Sequence, residues 1–198
     1  GTLALGDALR NARALRFIAA YAAHNWELFG MRAWMPAFLA AMWVGRGLPV
    51  EAAAARGAAF GSLVLFASAL SNAAGGWLSD HVGRRRTIVT FLTASTVCSF
   101  TIGWTLPLGT AVVVGVALFY GLFVTADSST LSTAVAESAA PHALGSTLAV
   151  QSALGFLVTA VASPLFGIVL DATASGWGWA FASLGIVALA GALVAAKA

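Results

Sequence analysis

Charged side chains are scarce in this sequence. Of its 198 residues only 9% are Asp, Glu, Lys or Arg, whereas 60% are hydrophobic. A soluble domain carries charge at roughly a quarter of its positions, so this chain lacks the polar surface that contact with water requires. The composition argues against a water-soluble domain and predicts an integral membrane protein.

Cysteine and the common catalytic motifs are nearly absent as well. Cys98 is the only cysteine, which excludes an intrachain disulfide and a cysteine-rich metal site. The chain has no H-E-x-x-H zinc motif, no G-x-x-x-x-G-K-[ST] phosphate loop and no G-x-G-x-x-G dinucleotide motif. An intramembrane serine protease would need a Ser in a G-x-S-G setting, activated by a His on another helix, and no predicted span contains that setting. We therefore predict neither an enzyme nor a cofactor or metal site.

Long apolar stretches make up most of the sequence. About 20 residues of helix cross a hydrocarbon core of roughly 30 Å, and stretches of this kind are bounded here by charges, Pro or Gly clusters. They lack the alternation of polar and apolar residues that would indicate membrane strands. Six spans are predicted, at residues 15–43, 58–79, 87–106, 110–134, 145–170 and 178–196. The predicted fold class is an all-α membrane protein, with residues 1–198 as one six-helix domain.

Lys and Arg are unequally divided between the two sides of this predicted bundle. One side carries only Arg46 and Arg56. The other side carries Arg10, Arg13, Arg16, Arg84, Arg85, Arg86 and Lys197. Because cytoplasmic segments are enriched in Lys and Arg, both termini are predicted to be cytoplasmic in a multi-pass protein of the cell membrane. The basic residues form no stripe interleaved with aromatics, so no nucleic-acid partner is expected, and since the sequence does not begin with Met we expect a piece of a longer protein.

The densest charge lies in GGWLSDHVGRRRT, residues 75–87, between the second and third predicted spans. The two glycines that open this stretch are expected to let the second helix end close to a neighbouring helix, and Gly83 permits a tight turn. Asp80 is placed either to cap the third helix or to pair with Arg84. Three arginines alone would be enough to keep this loop on the cytoplasmic side of the membrane. That role does not require the ordered pattern G-x-L-x-D-x-x-G-R-R.

This pattern resembles the signature loop of the major facilitator superfamily of secondary transporters, and its place after the second span matches as well. The residues that carry the resemblance are Gly76, Leu78, Asp80, Gly83, Arg84 and Arg85. In that family the Asp and Arg residues of the loop lock the cytoplasmic helix ends together in one state of the transport cycle. The resemblance therefore implies a gating loop here.

The resemblance extends along the chain through residues 21–34, 126–156 and 163–171. Family members have twelve spans in two halves, each built from two inverted three-helix repeats, so the six spans here imply one half. N-terminal halves usually carry an Arg early in the fourth helix, whereas residues 110–126 contain none, which implies the C-terminal half. Leu144 departs from the family pattern, because a basic residue often stands there.

Ionisable residues also fall inside the predicted spans: His24, Glu27 and Arg32 in the first, and Asp127 in the fourth. These spans are the first helices of the two triplets, which line the cavity in such transporters. A charge near the bilayer centre costs about 2.5–3.5 kcal/mol, so it normally faces protein or water. His24 and Glu27 lie about 60° apart on a helix and share a face, whereas Arg32 points away from Glu27 and is expected to find an anion elsewhere. With Ser128, these four are the candidate substrate-binding or ion-binding residues.

The predicted function is secondary active transport of a small solute by alternating access, coupled to an ion. Protons are the simplest coupling ion, which His24, Glu27 and Asp127 would take up and release. The expected partners are the solute, protons, membrane lipid and the missing six-helix half. Two alternatives stay open, a membrane channel and a non-catalytic membrane scaffold subunit. For the residues, the alternatives are that His24 only fills space and that Asp127 and Ser128 form a structural hydrogen-bond cluster.

Overall fold

The computed structural model describes residues 2–198 of the chain, with side chains from Ala4 onward. This part of the chain is helical, with short connections and no strand. The elements are α1 (Thr2–Arg10), α2 (Ala12–Val44), α3 (Val50–Val82), α4 (Arg84–Ile102), α5 (Thr110–Ala126), α6 (Ser128–Ser138), a 3-10 turn (Pro141–Ala143), α7 (Leu144–Ala172) and α8 (Trp177–Ala195). The predicted all-helical fold class is confirmed, and α1 is an addition that the sequence analysis did not predict.

A helix lies in each of the six predicted segments, but three segments differ from the prediction. α4 ends at Ile102, short of the predicted end at residue 106. α3 contains Gly75 and Gly76 within the helix and continues past the predicted end at residue 79 to Val82. The helix ends instead at Gly83, whose φ of +93° is a conformation that residues with a β-carbon rarely adopt. The fourth predicted span is divided at Asp127 into α5 and α6.

Some of the helical segments are long and apolar enough to cross a membrane. These segments are Val50–Val82, Thr110–Ser138, Pro141–Ala172 and Trp177–Ala195. The two remaining long helices are more polar, since α2 contains His24, Glu27 and Arg32 and α4 begins with three arginines. The assignment of membrane spans to α2 and α4 stays a prediction.

One end of the bundle collects the charged loop between α3 and α4 and the two ends of the chain. Asn11 Nδ2, at the start of α2, donates to Ser138 O at the end of α6 (2.6 Å). Arg16 Nη1 donates to Lys197 O, just after α8 (2.6 Å). We call this end of the bundle the loop end.

α2 is the central helix and packs against α3, α6, α7 and α8. Away from the loop end, the ring of Phe38 meets Phe181 of α8 edge to face, with 5.2 Å between centroids. Phe181 in turn meets Phe166 of α7 at 5.0 Å. In lipid, close van der Waals packing of this kind joins helices in place of hydrophobic burial. The aromatic cluster therefore joins α2 to α7 and α8. The polar side chains of α2 lie nearer the loop end than this cluster.

The backbones of α3 and α5 come into contact where α5 ends. A β-carbon at Gly75 would lie 1.7 Å from the carbonyl oxygen of Ala126, so the contact requires glycine. Gly76 lies beside α6, where an added β-carbon would be 3.2 Å from Ser129 Oγ. The close approach expected of the two glycines is confirmed, although it occurs within α3 rather than at its end.

Replacing Gly75 by Ala is expected to separate α3 from α5 and to lower the free energy of unfolding by about 1–3 kcal/mol, the usual cost of overpacking. Gly115→Ala in α5 is the matched control, because a β-carbon there meets nothing within 4 Å. That change gains about 0.5–1 kcal/mol of helix propensity. Thermal unfolding of the two full-length variants in detergent measures the difference, and equal stability would show that the backbone contact is absent.

Candidate functional site

A polar cavity of about 320 Å³ lies between α2, α3, α6 and α7 and is open at Phe156, which is 62% exposed. Its walls are formed by Tyr21, His24, Asn25, Leu28, Phe29, Asn72, Ser128, Ser129, Ser132 and Phe156. The walls combine aromatic and aliphatic side chains with amides, hydroxyls and an imidazole. Such a composition is typical of sites that enclose and orient a small molecule.

His24 is held between two residues at the break between α5 and α6. Its Nδ1 lies 3.0 Å from Asp127 Oδ1, and both side chains are 1% exposed. Its Nε2 lies 2.9 Å from Ser128 Oγ. The contact with Asp127 is an ion pair by distance, although the two atoms are not aligned as a hydrogen bond. The structure thus brings three of the predicted binding residues together across α2 and the helix break.

The break that presents Asp127 is stabilised from α3. Asp127 adopts φ −94° and ψ −2°, and α6 begins with the N–H of Leu131 donating to Asp127 O at 2.8 Å. Asn72 Oδ1 of α3 accepts the N–H of Ser129 at 3.1 Å. α3 therefore supplies the helix cap that the Asp127 side chain does not, and the Asp127 carboxylate faces α2 instead.

Glu27 is buried on a different part of the α2 surface and does not line the cavity. Its Oε2 accepts from Ser95 Oγ of α4 at 2.7 Å, and its Oε1 accepts from Tyr120 Oη of α5 at 3.1 Å. Tyr120 Oη also lies 3.0 Å from Ser99 Oγ. The structure therefore places His24 and Glu27 in separate networks, because a rotation of about 60° around the helix is enough to pass from the cavity wall to a helix interface.

Arg32 lies one turn beyond Phe29, farther from the loop end. Its guanidinium carbon is 5.9 Å from the centroid of the Phe29 ring, which lines the cavity. The side chain is half-buried, and its Nε is buried without a hydrogen-bond partner in the described chain. No carboxylate of residues 4–198 lies within 4.0 Å of it. The anion expected for Arg32 is not among the described residues.

Asn25 is a cavity residue that the sequence analysis did not single out. It is 4% exposed, and its Nδ2 has no hydrogen-bond partner among the residues that the structure describes. Gly155 of α7 makes room for the amide, since a β-carbon there would lie 2.5 Å from Asn25 Nδ2. Gln151 supports the same wall by donating from Nε2 to Ser132 Oγ at 3.2 Å. The available sequence signal for Asn25 was its position beside His24 within a predicted span.

Arg84 joins the ends of three helices at the loop end. Its guanidinium pairs with Asp80 of α3 and with Glu137 of α6, where Arg84 Nη2 lies 3.1 Å from Glu137 Oε1. Hydrogen bonds to Glu137 and Asp80 raise the pKa of Arg84, which therefore stays charged. The predicted pair of Asp80 and Arg84 is confirmed, whereas α4 begins without a side-chain cap. Arg85 reaches the end of α8, with Nη1 3.5 Å from Ala196 O.

The family model of the Major Facilitator Superfamily matches residues 28–198 of the sequence. The chain belongs to the major facilitator superfamily. The match contains the loop between α3 and α4 and the helix break at Asp127, and the resemblance noted from the loop is confirmed at the level of the family. This superfamily member is an integral, multi-pass membrane protein.

A solved structure shows the same fold as this superfamily member. The POT family transporter PepTSo, in a crystal structure determined in meso, matches it with a TM-score of 0.82 and 15% sequence identity. The match covers 92% of this chain and 36% of that transporter chain, so the present chain corresponds to a part of its length. No curated protein sequence matches the chain.

Proposed function

We propose that this superfamily member is the C-terminal six-helix half of a twelve-span secondary active transporter, which moves a small solute by alternating access. The polar cavity, formed where α2 meets the break between α5 and α6, carries the proposal. These helices begin the two inverted three-helix repeats proposed here, α2 to α4 and α5 to α8, and first helices line the solute pathway in such transporters. The lack of an Arg in residues 110–126 supports the C-terminal assignment.

The loop end is proposed to face the cytoplasm, because it carries most of the arginines and cytoplasmic segments are enriched in Lys and Arg. In one state of the cycle, Arg84 holds the ends of α3, α4 and α6 together through Asp80 and Glu137. Release of these contacts would let the cavity open toward the cytoplasm. Gly76 and Gly83 serve this gate by allowing the close approach of α3 to α6 and the turn into α4.

Proton coupling is assigned to His24 and Asp127. Neither a lone carboxylate nor a lone imidazolium is stable away from water, so each group depends on the charge of the other. A proton added to Asp127, or removed from His24, weakens the hold of α2 on the helix break. Proton binding thereby changes the contact between the first helices of the two repeats. Glu27, whose oxygens are occupied by Ser95 and Tyr120, is assigned to joining α2 with α4 and α5.

Asp80→Asn and Glu137→Gln each remove one carboxylate from Arg84 and are expected to impair turnover in a protein that still folds. An exposed ion pair contributes about 0.2–1 kcal/mol, and about 1 kcal/mol changes the ratio of two conformations roughly fivefold. Arg86→Gln is the matched control, since Arg86 is exposed and makes no ion pair in the described chain. Solute uptake per folded full-length molecule measures the effect. If all three variants turn over at the wild-type rate, the loop only holds the topology.

Asp127→Asn is expected to abolish solute accumulation driven by a proton gradient, because the pair can no longer exchange its proton, while exchange of solute across the membrane persists. Asp171→Asn is the matched control, since it makes the same chemical change at an exposed residue outside the cavity and should keep coupling. Solute-dependent proton entry into pyranine-loaded proteoliposomes reports coupling, and solute counterflow reports exchange. Accumulation by Asp127→Asn at the wild-type level would contradict the proposal, and joint loss of folding and exchange would indicate a structural cluster instead.

A further inference from the structure

Arg32 is a half-buried cation for which the described chain offers no counter-charge. A charge within a membrane span is costly and normally finds a partner, yet no described carboxylate lies within 4.0 Å of Arg32. Arg46, beyond the same helix, is satisfied by donating to Met42 O at 3.1 Å and Leu108 O at 2.7 Å. Arg32 instead has its guanidinium carbon 5.9 Å from the centroid of Phe29, a ring that lines the cavity, and keeps a buried Nε without an acceptor.

The cavity adds hydrogen-bond donors with the same preference for an anion. Asn25 lines it, is 4% exposed, and has no acceptor for Nδ2 within the described residues. A buried donor without an acceptor is costly, so an acceptor from the solute is expected there. Ser132 of α6 lies on the same wall and accepts from Gln151 Nε2 at 3.2 Å, which leaves its own O–H free to donate.

The acidic groups of α2 and the helix break do not line the cavity. Asp127 Oδ1 lies 3.0 Å from His24 Nδ1, and neither Asp127 nor Glu27 is among the residues that line the cavity. Glu27 accepts hydrogen bonds from Ser95 and Tyr120. The groups left for a solute are therefore the guanidinium of Arg32, the Asn25 amide N–H and the Ser132 hydroxyl, which favour a negatively charged ligand.

We propose that the solute is a small organic carboxylate, whose charged group binds the guanidinium of Arg32 beside Phe29, with Asn25 and Ser132 donating to other acceptors of the same solute. A guanidinium binds a carboxylate through two parallel hydrogen bonds, a geometry that an ammonium does not offer. Tyr21, Phe29 and Phe156 form the remaining walls, so the rest of the solute contacts aromatic rings. This inference rests on the proposed function and names its substrate class.

The test compares acids with their amides on the purified full-length protein: benzoate with benzamide, nicotinate with nicotinamide, and succinate with succinamide. At millimolar concentration, at least one carboxylate is expected to raise the unfolding temperature by several degrees, and its amide is not, because the amide carries no charge. Arg32→Gln is expected to raise the dissociation constant at least about tenfold, and Arg32→Lys several-fold. Arg46→Gln, the matched control at an arginine bound by backbone carbonyls, should leave the dissociation constant within about twofold.

Several results would overturn the inference. They are an amide that stabilises as well as its acid, an Arg32→Gln variant that binds the carboxylate as wild type does, and a panel in which no carboxylate stabilises the wild type. If Arg32 pairs with an acidic residue of the other half, its variants change folding yield but not the preference for acids over amides, which also overturns it. If Arg32→Gln does not fold, an unchanged dissociation constant in Arg32→Lys has the same meaning. Uptake of neutral solutes measures transport independently of any carboxylate. A failure of this inference can therefore be distinguished from a failure of the proposed function.

Discussion

The contact between His24 and Asp127 fixes the geometry of the site. α5 and α6 form one helical stretch with a break, and the break turns the Asp127 carboxylate toward α2, 3.0 Å from His24 Nδ1. Away from water a charge requires a counter-charge or hydrogen bonds, so the pair holds α2 against the break. α3 supports the break twice, because Gly75 lets its backbone contact Ala126 and Asn72 caps α6.

α2 separates its polar side chains between two surfaces. His24 and Asn25 face the cavity, where an imidazole and an amide can meet a solute. Glu27 instead joins α2 to α4 and α5 through hydroxyl groups, and so holds the bundle together without closing the cavity. The proposed transport needs both properties, because helices that carry unsatisfied groups toward a solute must be held in place by other contacts.

Features that depend on local spacing could be predicted from the sequence. The helical segments follow from the lengths of the apolar runs, and the pair of Asp80 and Arg84 follows from an i,i+4 spacing. Features that depend on which helices meet could not be predicted. Glu137 and Arg84 are 53 positions apart in the sequence, and only the packing of the helices decides that they pair. The same holds for the neighbours that Glu27 contacts. The break at Asp127 was missed because the Ser and Thr residues after it are as compatible with a continuous span as with the start of a second helix.

The central claim is that the cavity beside His24 is reached from each side of the membrane in turn. Ser132 lines the cavity, and Cys98 is the only cysteine of this chain. Ser132→Cys with Cys98→Ser, in a full-length protein otherwise free of cysteine, therefore places a single thiol in the cavity. The account predicts that a membrane-impermeant maleimide labels this thiol from either side of oriented vesicles. Labelling from one side only, in a folded protein, would contradict it.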